Sequence, residues 1–223
     1  MGTSIVFGAS GGIGAAFQAA LGPDCLGFSR ASLPVVDLTD EASIAGAAAY
    51  VGERFAPPSM IIDATGFLHG HGFMPEKTFG TLSPEHMALS FQLNAIGPAL
   101  LMKHFLPLMP RHEPAYFVTL SAKVGSIGDN QMGGWYSYRA AKAALNQLVH
   151  TAAIELKVKR PLAVCVALHP GTVATELSAP FAKSGLNVRP PAEAVAEMLQ
   201  VIRALRPEHS GGFFSYDGSV LPW

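Results

Sequence analysis

Apolar residues fall along the chain in short unbroken runs, each followed by a longer segment with helical periodicity. The runs Thr3–Phe7, Cys25–Ser29, Val35–Val36, Met60–Asp63, Tyr116–Leu120, Leu162–Leu168 and Gly212–Ser215 read as strands. They do not alternate apolar with polar, so both faces are covered, as in a parallel sheet between helices. Helices are predicted over Gly12–Leu21, about Glu41–Arg54, Pro84 to about Leu106, Gly134–Lys157 and Pro191–Ala204. Thr39 or Asp40 can cap the second of these, and Ser83-Pro84-Glu85 supplies a cap and a first-turn proline for the third. Strands joined by helices make βαβ units, hence a single doubly wound α/β domain of Rossmann type over residues 1–223. No linker, repeat or low-complexity tract divides it; only Gly66–Gly80 has a strong Gly/Pro/His bias.

Composition narrows the function. The 223 residues are 49% hydrophobic and 14% charged, with a net charge of −1. Such a chain folds around a sizeable core and has no basic excess for nucleic acid. Lys103, His104 and prolines interrupt the longest apolar stretches, so no membrane partner is expected. Residues 1–7 are too short and lack the basic flank of a signal peptide, so the expected location is cytoplasmic. Cys25 and Cys165 lie in apolar runs and read as buried free thiols. His69 and His71 have no third ligand near them, so no metal is expected.

Two features carry chemistry. Gly8-Ala9-Ser10-Gly11-Gly12-Ile13-Gly14 joins the first strand to the first helix, where bare backbone and a helix N-terminus suit a phosphate. The second strand ends at Ser29-Arg30 with no acidic residue to hold a free ribose hydroxyl. An arginine there suits a 2′-phosphate, with Ser10 able to add a hydrogen bond, which favours NADP(H) over NAD(H). Asp37-Leu38 follows the expected third strand; Asp37 either meets the adenine amine or caps a turn. The second feature is Tyr138 and Lys142, four apart on one helix face. An ammonium beside a phenol is expected to lower its pKa from about 10 and make it a general acid and base.

With these elements the sequence resembles the short-chain dehydrogenase/reductase family over nearly its whole length. The resemblance rests on Gly8–Gly14, Asp63-Ala64-Thr65-Gly66, Asn94, Ser121 or Ser126, Tyr138-x-x-x-Lys142 and Pro170-Gly171-Thr172-x-x-Thr175. Val124-Gly125-Ser126-Ile127, Gly133–Arg139 and Tyr216-Asp217-Gly218 with Pro222-Trp223 are similar to the C-factor and sniffer-type carbonyl reductase branch. The resemblance implies that Gly8, Gly12 and Gly14 lie under a pyrophosphate with Ile13 beside it. Gly11, Ala64, Thr65 and Gly66 are implied to belong to the same cofactor site. Tyr138 is the implied proton donor and Lys142 the ligand of the nicotinamide ribose. Asn94 is implied to hold a relay water through its helix backbone, the alternative being a buried amide bonded within the helix. Thr172 and Val173 are implied to contact the carboxamide and Thr175 the pyrophosphate, in the segment opened by Pro170 and Gly171.

Three positions depart from the family pattern. Phe7 replaces a threonine and is expected to pack in the core. Ala64 replaces an amide that ties neighbouring strands. Ala122 stands where branch relatives carry the catalytic serine; Ser126, twelve residues before Tyr138, is favoured over Ser121 as its substitute. The substrate pocket is expected between Phe67–Phe79, Met132, Trp135 and the segment Glu176–Pro190 with Leu177, Phe181 and Leu186, which suits a small hydrophobic carbonyl or alcohol. His69 and His71 either meet a polar substrate group or are ordinary exposed loop residues. Ala140, Ala141, Ala143 and Ala144 make a flat helix surface, and the resemblance implies a homodimer, with a tetramer as the alternative. The competing functions are a cofactor-binding sensor or signalling protein without turnover, and a nucleotide-sugar epimerase or dehydratase.

Overall fold

The structure is a computed structural model in which residues 2–181 and 188–223 are described. Six strands, β1 (Thr3–Phe7), β2 (Leu26–Phe28), β3 (Pro58–Asp63), β4 (Ala115–Leu120), β5 (Ala163–His169) and β6 (Phe213–Ser215), form one parallel sheet. Their order is β2-β1-β3-β4-β5-β6. The chain leaves β1 for β2 on one side and returns past it to β3 on the other. That reversal opens a crevice at the carboxyl ends of β1 and β3, where ligands of such sheets bind.

Both faces are covered because each strand is apolar on both. Ile5, Phe7, Ile61, Phe117, Cys165 and Ala167 point to one core, completed by α2 (Glu41–Arg54), α4 (Gly97–Phe105) and α5 (Tyr136–Lys159). Val6, Ile62, Val118, Val166 and Leu168 point to the other, with α1 (Gly12–Leu21) and α6 (Pro191–Ala204). On the first face the residues of β4 and β5 are mostly small (Ala115, Ala163, Cys165 and Ala167), so the 24-residue α5 lies close over the middle of the sheet. Phe7 is fully buried, stacked on Phe28 at 5.6 Å and edge-on to Phe105 at 4.7 Å. Both cysteines are buried free thiols, Cys25 lying just before β2. No described helix is long and apolar enough to cross a membrane.

Two elements differ from the sequence expectation. Val35–Val36 is not a strand. Pro34 has no N–H to give a ladder, and the chain from Ser29 to Val36 is too short for a helical crossover. One bond, Val36 N–H to the Ser29 carbonyl (3.0 Å), is formed before the chain turns into α2. The helix expected from Pro84 to Leu106 is divided into α3 (Pro84–Phe91), a π-helical turn over Gln92–Ile96, and α4. Pro98 explains the division: it has no N–H to donate to the Asn94 carbonyl four residues back. The other boundaries either coincide with the expected ones or move by one or two residues.

Asp63 closes β3 against β4. Its carboxylate, fully buried, accepts from the Thr119 hydroxyl at 2.6 Å and from the Thr65 N–H at 3.0 Å. This supplies the cross-strand tie that Ala64 cannot make. Thr119→Val is therefore expected to lower unfolding stability by about 1.5–3 kcal/mol, the range for a hydrogen bond to a charged group, read from denaturant midpoints.

Candidate active site

The glycine turn closes through backbone contacts that side chains would block. Gly8 has φ +75°, and a Cβ there would stand 2.9 Å from the Ala64 carbonyl oxygen. A Cβ on Gly14 would stand 2.1 Å from the Gly8 carbonyl oxygen, so Gly14 is what lets α1 start hard against β1. Gly14 is buried, whereas Ser10, Gly11 and Gly12 are exposed. Gly11 caps α1 with no side-chain hydrogen bond, so its first N–H groups have no capping side chain. A dinucleotide pyrophosphate fits this cradle: Gly11, Gly12 and Ile13 would hold it, while Gly8 and Gly14 shape it. Thr175 lies alongside, its Cγ2 3.0 Å from where a Gly12 Cβ would be.

Arg30 is exposed past the end of β2. The Asp37 carboxylate accepts from the Thr39 N–H (2.8 Å) and hydroxyl (2.7 Å). These bonds, with Arg30 as a lesser contributor, hold it below the usual carboxylate range. Asp37 thus serves its own turn. Leu38 is buried, and its carbonyl accepts from Gln92 Nε2 at 3.0 Å. Ala64 and Thr65 lie half-buried beside Gly8, followed by exposed Gly66.

Tyr138 and Lys142 occupy one face of α5 and are 9% and 2% exposed. Lys142 Nζ donates to the Leu120 carbonyl, the last of β4, at 2.8 Å, and stands 5.9 Å from the centre of the Tyr138 ring. Burial lowers the Lys142 pKa to about 8, opposed by the Asp63 carboxylate. Burial also raises the Tyr138 phenol above its ordinary value, against the expectation that the lysine lowers it. In the chain alone desolvation governs both groups, because the ammonium is turned to a backbone carbonyl.

Asn94, fully buried in the π turn, pins the loop after β3. Its Oδ1 accepts from the Phe67 N–H at 2.9 Å, and its Nδ2 donates to the Phe67 carbonyl at 2.7 Å and to Ser90 Oγ at 3.2 Å. The amide is bonded mainly across to another segment rather than within its helix.

Neither serine hydroxyl is hydrogen-bonded to Tyr138. Ser121 donates to Asn146 Oδ1 at 2.6 Å, one turn beyond Lys142. Ser126 accepts from the Asp129 N–H at 3.1 Å and lines a cavity of about 590 Å³ with Tyr136, Arg139, Ala140 and Ala143, on another face of α5. Of the alanines expected to form a flat surface, Ala141 is buried towards the sheet, while Ala140, Ala143 and Ala144 remain outward.

After β5 the segment Pro170–Thr175 is held by residues that the sequence reading missed. Thr172 and Ala174 pair with the Arg189 backbone at 3.0 and 2.9 Å, and Val173 is buried beneath. The Arg189 guanidinium bonds the Pro170 carbonyl, pairs with Glu197 and stacks 3.5 Å over Tyr216. A Cβ on Gly171 would collide with that guanidinium. No short-range motif marks Arg189 or Glu197. Aromatic rings border the tyrosine: Trp135 meets Tyr138 at 6.2 Å and Phe181 at 5.0 Å, and Phe181 meets His69 at 5.6 Å. His69 Nε2 is buried without a partner among the described residues, whereas His71, Met132 and Phe79 are exposed. Leu177 is half-buried, and Leu186 lies outside the described residues.

A family model described as enoyl-(acyl carrier protein) reductase matches residues 25–213. The chain belongs to the short-chain dehydrogenase/reductase family. It is 37% identical to the C-signal protein of Myxococcus xanthus over 144 residues, 65% of this chain and 82% of that one. The structure is similar to the carbonyl reductase Sniffer of D. melanogaster, with TM-score 0.84, 23% identity and full coverage of both chains. It is also similar to the NADPH-bound carbonyl reductase from chicken fatty liver, with TM-score 0.83 and 26% identity over 99% of this chain and 94% of that one. The family is one of NAD(P)-dependent oxidoreductases, so membership makes this chain such an enzyme.

The lowered Lys142 pKa has a measurable consequence. Unfolded, the ammonium keeps its proton to about 10.5; folded, it loses it near 8. Between those values the unfolded chain binds more protons, so stability climbs with pH. Above about 10 the raised Tyr138 pKa acts in the opposite direction. The midpoint of the cofactor-free chain minus that of Lys142→Met is therefore expected to increase between pH 8 and 10.

Proposed function

We propose that this enzyme interconverts a small hydrophobic carbonyl compound and its alcohol with NADP(H) in preference to NAD(H). The observation that carries the reading is the joint burial of Tyr138 and Lys142 on one face of α5, with the ammonium anchored at the carboxyl end of β4. A bound nicotinamide supplies or takes up the hydride. Tyr138, kept protonated by burial, donates to the carbonyl oxygen of the substrate and takes the proton back in the reverse direction. Lys142 has the donors to hold ribose hydroxyls. The Asn94 carbonyl, deprived of its α-helical donor by Pro98, is the group assigned to a relay water. The exposed Arg30 and the likeness to an NADPH-bound carbonyl reductase support the 2′-phosphate preference. The rings of Trp135 and Phe181 support an apolar substrate. Tyr136, Ala140, Ile154 and Val158 form an exposed stripe along α5 that supports pairing of two copies.

A second reading, a sensor that binds cofactor without turnover, is favoured by Ala122 and by the likeness to C-signal. Paired fluorescence titrations with NADPH and NADH, followed by diketones, quinones, aromatic aldehydes and an enoyl thioester, separate the readings. Tighter NADPH binding with carbonyl-dependent consumption that vanishes in Tyr138→Phe is the expected result. Binding without consumption of any compound would establish the sensor, and consumption with the enoyl thioester alone would replace carbonyl chemistry by double-bond reduction. Ala122→Ser returns a hydroxyl to the position after Ser121 and is expected to raise kcat about tenfold or more, since one such donor is worth on the order of a hundredfold elsewhere.

A further inference from the structure

Tyr138 is the third residue of α5, inside a first turn that lacks its usual support. Trp135, the capping residue, has φ +54° and makes no side-chain capping bond, and the turn contains no acidic residue. The first N–H groups of a helix have no partner within it, and its positive end favours an anion. Here the anion comes from 61 residues away. Glu76, in the loop between β3 and α3, is 3% exposed, and its carboxylate accepts from the Ser137 N–H at 3.2 Å and from the Ser137 hydroxyl. The Glu76 backbone carbonyl accepts from the Trp135 N–H. Both residues on either side of Tyr136 are thus gripped by one glutamate.

The glutamate is itself seated. His86 of α3, 3% exposed, places Nδ1 3.1 Å from Glu76 Oε1 and stacks on Phe73 at 4.9 Å. The order of contacts is serine, carboxylate, imidazole, and Ser137 is fully buried, so this is no nucleophilic triad. Burial alone would raise the Glu76 carboxyl; the Ser137 hydroxyl, the neighbouring backbone N–H groups and His86 outweigh it and hold it below the usual range.

We propose that Glu76 is a positioning residue for Tyr138: seated on His86, it caps α5 from outside the helix and sets where the phenol stands. The inference rests on Tyr138 as the proton donor. Loss of the cap frees the turn that carries the phenol, and a displacement of about 1 Å costs on the order of a hundredfold in rate. NADPH affinity, to which the glycine turn, Arg30 and Lys142 beyond that first turn contribute, is expected to change little.

The test combines Glu76→Ala, Glu76→Gln and Ser137→Ala with three readouts: kcat for carbonyl reduction, NADPH affinity, and amide exchange at residues 136–139. Glu76→Ala is expected to lose on the order of tenfold to a hundredfold in kcat, with NADPH Kd within about twofold and faster exchange at 136–139. Glu76→Gln, which keeps an oxygen for the Ser137 N–H, is expected to recover most of the rate. Wild-type kcat in Glu76→Ala, or a loss shared equally by NADPH binding, would overturn the proposal. Should Glu76→Ala fail to fold, Ser137→Ala and Glu76→Gln decide by the same readouts. Should the wild type itself show no turnover, the reductase reading falls, while unchanged exchange at 136–139 in the variants would still sink the cap.

Discussion

The buried ammonium of Lys142, held on the last carbonyl of β4, is the constraint around which the middle of this molecule is arranged. A lysine with 2% exposure has few routes to a hydrogen bond, and this one exists only because α5 lies close over the sheet. The close approach depends on Ala115, Ala163, Cys165 and Ala167 beneath the helix, and on Gly125, where a Cβ would stand 2.7 Å from the Lys142 Cβ. Small residues far apart in the chain thus serve one charge, and the same packing keeps Tyr138 out of water. Desolvation then pushes the two groups apart in proton affinity, the lysine downward and the phenol upward.

Much of this was legible in the sequence because it depends on local order. Continuous apolar runs between helical periods gave the parallel sheet, and Tyr138–Lys142 at helical spacing gained meaning only together with Gly8–Gly14 placed between a strand and a helix. Val35–Val36 misled because composition reports apolar burial, and Val36 is buried without needing a strand. The division of the helix after Phe91 was marked by Pro98, whose missing N–H acts four residues upstream. The Arg189–Glu197 pair and the Glu76–Ser137 contact were not legible. Each joins residues whose separation in the chain carries no periodic signal. The low pKa expected for Tyr138 failed for a related reason: helical spacing places a lysine beside the ring but does not say which oxygen its ammonium faces.

The site is therefore assembled at two ranges. The strand ends and the residues on them follow from the βαβ pattern, and they fix a crevice between β1 and β3. Loops from distant parts of the chain then complete it: Asn94 holds Phe67, and Arg189 holds Pro170. Each of these fastenings is a side chain bonded to backbone, which fixes a segment's position while leaving the side chains of that segment free to vary.

The Val173–Arg189 bridge has an evolutionary corollary. It closes the base of the segment between Thr175 and Arg189: on one side Val173 is buried in the core beside α6, and on the other Arg189 pairs with Glu197 of α6. Exchanged sequence within the segment does not touch the backbone pairing at that base, so the stretch is free to vary in evolution at little cost to the sheet. For the same reason that segment is a natural place to graft or randomise sequence.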